Sequence, residues 1–325
     1  VRGLVVIAPT LGGAKLAQAL GGALAEHEIT AVEDTGQDRD ALRRAEFLLT
    51  ALAPVNADHL AAAEALRFVQ CASHGVDHVD LAAAERHGVT VSTIGSSQAE
   101  AQDVAEHAMA LMLALAKQLV PGHQALRDGE WALPRLRPGL TELFGKTLGI
   151  VGLGAIGQQL ARRATAFDMR IVYSGPRPVP AAADYRARHV ELDELLATAD
   201  YVSLHAPLRP DTRHLLDRRR LALMKPTAIL VNTARGALVD QDALAEALAA
   251  GRLGGAGIDV FDPEPPPADL ALLRAPNVVL SPHAAGVTRE TVLRIAAAAL
   301  DNVRRVAAGQ PPLDVVAGPA RPVSG

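Results

Sequence analysis

Short unbroken runs of apolar residues, separated by amphipathic stretches and glycine- or proline-bearing turns, set the rhythm of the chain. Runs of four or five without polar alternation are the mark of strands buried on both faces, as in a parallel sheet. The pattern predicts strands at Leu4–Ala8, Ile29–Val32, Glu46–Leu49, Leu66–Gln70 and Val89–Ser92. Helices are predicted between them at Ala14–Ala25, Ala57–Ala65 and Leu81–His87, the last stopped by Gly88. Strand and helix in alternation mean βαβ units. This first series ends near Ser97.

A different texture follows. Ala99–Leu119 is apolar nearly all round and too regular for a linker, which predicts one long, mostly buried helix closed by Pro121–Gly122. Such a helix needs partners on more than one side, making it a candidate for interdomain packing and for a subunit interface. Prolines predict an irregular segment at Trp131–Leu140. Alternation then resumes with strands at Thr147–Leu153, Arg170–Tyr173, Tyr201–Leu204, Ala228–Asn232, Ala256–Val260 and Val278–Leu280. The intervening helices fall at Ile156–Phe167, Asp193–Thr198, Arg219–Met224 and Asp240–Ala250, and a closing helix at Thr288–Ala308. The prediction is a doubly wound α/β fold in two units. The tail Gly309–Gly325 is expected to return to the first unit and fray at its end.

Length and composition narrow the function. At 325 residues, two domains are the default. Aromatics make up only 3%, so Ala, Leu, Val and Ile must build the core. A net charge of −4, without a basic run interleaved with aromatics, leaves no footprint for nucleic acid. No apolar run reaches membrane-spanning length, and VRGLVVIAPT enters a strand directly without the look of a signal peptide. The single cysteine, Cys71, excludes an internal disulfide framework and fits a reducing, cytoplasmic setting. It is expected to pack at a strand end, without a catalytic role. No metal-ligating cluster is assigned.

Chemistry enters with KTLGIVGLGAIG at Lys146–Gly157. Gly152, Gly154 and Gly157 follow a predicted strand and open a helix, the setting in which G-x-G-x-x-G binds a dinucleotide. The first glycine permits the tight turn, the second admits a pyrophosphate to backbone amides, and the helix N-terminus adds partial positive charge. Ligands of open α/β sheets sit beyond the carboxyl ends of strands. The polar residues expected there are Ser73-His74-Gly75, Ser174-Gly175, His205, Thr233-Ala234-Arg235, Asp259 and Ser281-Pro282-His283. Arg235 can hold a carboxylate bidentately, and His283 can exchange a proton near neutrality. A carboxylate such as Glu264 could fix the histidine's tautomer and raise its pKa. Each residue also has an ordinary reading, as a surface arginine, a loop histidine or a solvated carboxylate, and spacing alone does not bring them together.

Four segments in order carry a resemblance: GLGAIG (Gly152–Gly157), VNTARGALVD (Val231–Asp240), GAGIDVFDPEP (Gly255–Pro265) and SPHAAG (Ser281–Gly286). Together with SHGVDHVD (Ser73–Asp80) and DVAEHAMALMLAL (Asp103–Leu115), they resemble the NAD(P)-dependent D-isomer-specific 2-hydroxyacid dehydrogenase family. The resemblance implies two Rossmann-like doubly wound parallel-sheet domains with an active-site cleft between them. Residues 1–98 and 287–325 would form a flavodoxin-like substrate-binding domain, and 99–286 the nucleotide-binding domain. Arg235 would bind the substrate carboxylate, His283 would be the acid or base with Glu264 as its partner, and amides near His74 and Gly75 would hold the other end of the carboxylate. Ala155 and Ile156 amides would meet the pyrophosphate, His205-Ala206-Pro207 would wall the adenine side, and Asp259 would face the nicotinamide carboxamide. Thr212, Thr233, Ala234 and Ala285 would also bind the cofactor, as would Ser174, Gly175 and Arg177. The reaction implied is hydride transfer between NAD(P)H and a small 2-keto acid, in a homodimer.

Two departures matter. Where the family pattern places an acidic residue against the ribose 2′-hydroxyl, Tyr173-Ser174-Gly175-Pro176-Arg177 has Gly175. Loss of that carboxylate removes repulsion against a 2′-phosphate, and Arg177 either pairs with one or stands exposed in its loop; the balance favours NADP(H) over NAD(H). His74 replaces a usually small residue and either meets a polar substrate end or is an exposed loop imidazole. A corepressor-type nucleotide-binding regulator resembles the same family, and phosphite dehydrogenases use a similar Arg/Glu/His set. Formate dehydrogenases resemble it too, but carry Gln where Glu264 stands.

Overall fold

A computed structural model describes residues 1–318, in two compact α/β units; residues 319–325, the end of the expected tail, lie outside the described residues. The first unit comprises Val1–Ala99 and the chain from Arg289, and the second is Glu100–Thr288.

In the first unit the strands are β1 (Arg2–Ile7), β2 (Glu28–Val32), β3 (Phe47–Ala51), β4 (Phe68–Cys71) and β5 (Thr90–Ser92). They pair in parallel in the order β2-β1-β3-β4-β5. Every residue of β3 and β4 is buried, as a sheet covered on both faces requires, and the two polar ones, Thr50 and Gln70, hydrogen-bond to backbone carbonyls. Asp38, Asn56 and Asp80 cap the short helices between strands by accepting a backbone N–H three residues on.

The second unit carries β6 (Thr147–Val151), β7 (Arg170–Ser174), β8 (Arg188–His189), β9 (Tyr201–Leu204), β10 (Ile229–Asn232), β11 (Gly255–Ile258) and β12 (Val278–Leu280). All pair in parallel, in the order β8-β7-β6-β9-β10-β11-β12. Strand order therefore reverses between β6 and β9, where a doubly wound sheet opens a crevice for a ligand. The helix Ala101–Ala116 covers one face of this sheet, with Ala105, Ala108, Leu111, Met112 and Leu115 buried in the same cluster as Ile150, Leu160 and Val231.

The chain then returns to the first unit. Helix Arg289–Ala307 lays Ala299, Leu300 and Val303 on the apolar face of β1, β3 and β4, and the last strand, β13 (Val315–Ala317), pairs antiparallel with β5. Asn302 donates to Gln70 Oε1 at 2.6 Å and receives the Leu313 N–H at 2.8 Å, which ties the returning segment to β4.

The long helix differs from expectation. It ends at Ala116, the chain kinks through Gln118 at φ +51°, and a second helix runs from Leu119 to Arg127. Pro121 and Gly122 lie inside this second helix. Pro121 falls in its first turn, where no backbone N–H is needed, so it helps start a helix rather than end one. The irregular segment after it holds two short helical turns, Leu133–Leu136 and Arg137–Gly139.

Candidate active site

The site is assembled from loops leaving the carboxyl ends of β6 to β12. The β6 loop begins at Gly152, which has φ +97° and where a Cβ would lie 2.8 Å from the His205 carbonyl oxygen, so only glycine fits the turn. Gly154 is the N-cap of helix Ala155–Thr165 and supplies no side-chain cap, leaving the first-turn amides of Ala155 and Ile156 without one. A Cβ at Gly154 would meet nothing within 4 Å, so open space stands over those amides.

After β9, His205 is half-buried, with its Nδ1 shielded from solvent. Its Nε2 hydrogen-bonds Ser203 Oγ at 2.9 Å, its Nδ1 has no partner, and burial depresses its pKa to about 4, keeping the ring neutral. The Thr233 hydroxyl after β10 is likewise buried and without a partner. A glycine cradle, helix-N-terminal amides and two orphaned polar atoms at strand ends of one sheet fit the chemistry of a dinucleotide. Ala206, Pro207 and Ala234 follow directly on these strand ends. Thr212 turns its hydroxyl inward instead, donating to the Pro207 carbonyl at 2.8 Å and accepting the Arg209 N–H at 2.7 Å.

The β10 loop is shaped by Asn232. Its side chain donates to the Arg235 carbonyl at 2.8 Å and accepts the Ala234 N–H at 3.1 Å, which fixes Thr233–Arg235 as a tight turn. Gly236 comes next. A Cβ there would fall 2.1 Å from the Phe261 carbonyl carbon, so the β10 and β11 loops touch backbone to backbone. That contact brings the arginine loop against the one bearing Glu264.

Glu264 accepts the Phe261 N–H at 2.9 Å with Oε1 and holds His283 Nδ1 at 2.7 Å with Oε2. Gln241 braces this loop, donating to the Asp262 carbonyl at 2.6 Å and accepting the Asp262 N–H at 3.3 Å, and Arg213 pairs with the Asp262 carboxylate at 2.8 Å. Burial opposes charge on both members of the Glu264–His283 pair, but their mutual hydrogen bond and attraction prevail. The Glu264 pKa is lowered and that of His283 raised, even though the positive charge of Arg235 works against the latter. His283 itself has φ +53°, unusual for a residue with a Cβ.

Asp259 ends β11 wholly buried. Its carboxylate accepts the Ser281 hydroxyl at 2.5 Å and the N–H groups of Ala284 and Ala285 at 2.8 and 3.0 Å. The structure thus gathers Arg235, Glu264, His283, Asp259 and Ala285 on neighbouring loops of one sheet. At the β7 end, Ser174 is buried, Gly175 is capped through its carbonyl by His189 Nε2 at 3.0 Å, and Arg177 is exposed. His74 and Gly75 follow β4 of the first unit, half-buried, with Ser73 donating to the Gly75 carbonyl at 2.7 Å. Asn232, Gln241 and His107 escaped the sequence reading, and Ser281 entered it only as a strand-end polar residue without a role. Each acts through a backbone group or a distant partner, for which a linear motif gives no signal.

The chain is similar to known proteins over most of its length. Residues 109–285 match the family model described as D-isomer specific 2-hydroxyacid dehydrogenase, NAD binding domain. The chain is 42% identical over 283 residues to the glyoxylate reductase of Aeropyrum pernix, covering 84% of this chain and 83% of that one. It is 40% identical over 244 residues to the hydroxypyruvate reductase of Thermotoga maritima, covering 74% and 78%. Among solved structures, the NAD-dependent formate dehydrogenase from Staphylococcus aureus in complex with NAD matches with a TM-score of 0.87 at 32% identity, covering 98% of this chain and all of that one.

Proposed function

The chain belongs to the D-isomer-specific 2-hydroxyacid dehydrogenase family, and from that premise we propose that it reduces small 2-keto acids of the glyoxylate and hydroxypyruvate class to D-2-hydroxy acids. The observation that carries this reading is the 2.7 Å His283–Glu264 pair standing on the loop next to Arg235. Gly152–Gly157 would hold a nicotinamide cofactor, which would supply the hydride when bound. Arg235 binds the substrate carboxylate and draws negative charge onto the keto oxygen. His283, kept protonated by Glu264, gives its proton to that oxygen; in the oxidative direction the neutral imidazole takes it back. Glu264, where formate dehydrogenases carry Gln, favours a reaction that moves a proton as well as a hydride.

NADP(H) is the proposed cofactor. Gly175 presents no carboxylate to a 2′-phosphate, a Cβ there would meet nothing within 4 Å, and Arg177 is exposed two residues on. Measuring kcat/KM with NADH and NADPH side by side decides this, and a strong NADH preference contradicts it. A homodimer is proposed from the apolar residues left exposed between Leu119 and Phe144, among them Trp131 at 74% and Phe144 at 65%. Light scattering that returned a monomer at all concentrations would refute it. The lone buried thiol of Cys71, with its pKa raised to about 12 by burial, accords with a cytoplasmic setting.

The reading itself is tested by assaying glyoxylate and hydroxypyruvate with both reduced nicotinamides. Turnover is expected with at least one acid.

A further inference from the structure

His107 lies in the long helix Ala101–Ala116, far from the glycine turn and from Arg235 in sequence, and nothing in the proposed chemistry uses it. Its Nε2 stands 2.8 Å from Ser281 Oγ and 3.5 Å from Asp259 Oδ1. Ser281 Oγ in turn lies 2.5 Å from that same carboxylate oxygen. A hydroxyl has one proton, and the carboxylate, already receiving the Ala284 and Ala285 amides, is an acceptor. Ser281 therefore spends its proton on Asp259. The contact to His107 closes only if His107 Nε2 carries a hydrogen and donates it to Ser281.

The far end of this chain is the turn that bears His283. Asp259 accepts three consecutive N–H groups from it: His283 on the backbone carbonyl at 2.7 Å, then Ala284 and Ala285 on the carboxylate. His283 is held there at φ +53°, a conformation that costs energy for a side-chain-bearing residue and persists only where its surroundings enforce it. The Asp259 charge also acts on His283 directly, favouring its protonated form. Because Asp259 has no solvent access, its orientation is set by its donors alone.

We propose that His107 and Ser281 are positioning residues for His283, acting through the buried carboxylate of Asp259. They fix the acceptor that in turn fixes the left-handed turn from which the imidazole reaches Glu264. The inference rests on the reading of His283 as the proton donor.

Two measurements test it. In uniformly 15N-histidine-labelled full-length protein without cofactor, with the His107 signals identified by their loss in His107→Gln, His107 is expected to carry its proton on Nε2. A proton on Nδ1 with a bare Nε2 overturns the relay. Kinetically, Ser281→Ala is expected to lower kcat for glyoxylate by about tenfold with KM within about twofold, as loss of a hydrogen bond to a charged group predicts. Ser281→Thr, which keeps the hydroxyl, recovers most of the rate. In a His283→Ala background the Ser281→Ala loss should shrink below about twofold, because residues acting on one group are not additive. An equal loss in both backgrounds overturns the proposal. Absence of turnover in the unmutated protein would instead sink the 2-keto acid reading, and the nitrogen spectra would still judge the relay.

Discussion

The two units are built alike and treat their strand ends differently. In the first, several polar groups at the carboxyl ends close their own loops, although Ser92 Oγ at the end of β5 is buried without a partner. Thr50 donates to the Ala53 carbonyl at 3.0 Å, Gln70 to the carbonyls of Cys71 and Thr93 at 2.9 and 3.0 Å, and Ser73 to Gly75. In the second, the corresponding ends carry a glycine turn under open space, two orphaned polar atoms at His205 and Thr233, a buried carboxylate and a charged histidine–glutamate pair. Sheets of similar size thus differ in how much of their strand-end chemistry is spent on the fold. Architecture alone would not distinguish them, and chemistry has to be argued from the site.

That contrast can be broken by mutation. His283→Ala should lower kcat by at least about 10²-fold, within the range of acid–base contributions, with the melting temperature little changed. Near wild-type turnover would remove the histidine from the chemistry.

Glu264→Gln should act mainly on the pH profile. The carboxylate raises the His283 pKa, so the protonated ring persists above its ordinary range. Keto acid reduction, which needs the imidazolium, is expected to hold until pH rises through that elevated pKa and then decline. Without the carboxylate the declining limb moves to lower pH, and the oxidation profile moves with it. Stability follows the same sign: a raised histidine pKa contributes fully below the unfolded-state value and is lost as pH rises through the folded one. A reduction profile with an unmoved limb in Glu264→Gln would deny the pair its role.

The smallest effect is expected in the first unit. Cys71→Ser, at a strand end with no assigned chemistry, should change kcat by less than about twofold, whatever it does to stability. A loss comparable to that of His283→Ala would mean the two units are not so differently used.

Legibility from sequence tracked the range of the interactions. The strands of both sheets and the glycine turn announced themselves because their constraints are local: an apolar run, a Gly pattern, a helix start. Arg235 and His283 were legible as strand-end residues, and both, with Glu264, as parts of recognisable segments. Their convergence depends on Gly236 letting the β10 and β11 loops meet, a contact that no spacing rule supplies. The two-residue β8 and the three-residue β13 were missed because such short pairings carry no periodicity and exist only through a neighbouring strand. The helix break at Gln118 depends on a positive φ that Gln does not advertise, and Pro121 then read as a terminator when it is an initiator. His107 and Ser281, 174 residues apart, meet only in the folded sheet.

On the proposed function, the second unit's strand ends turn over a 2-keto acid rather than merely hold a nucleotide. Steady-state assay of the full chain with glyoxylate and hydroxypyruvate, against NADPH and NADH, tests it most directly. Saturable oxidation of the reduced nicotinamide that depends on the keto acid, and falls by at least about 10²-fold in His283→Ala, is the expected result. Tight nucleotide binding with no turnover across the panel would contradict it and point to a nucleotide-sensing regulator.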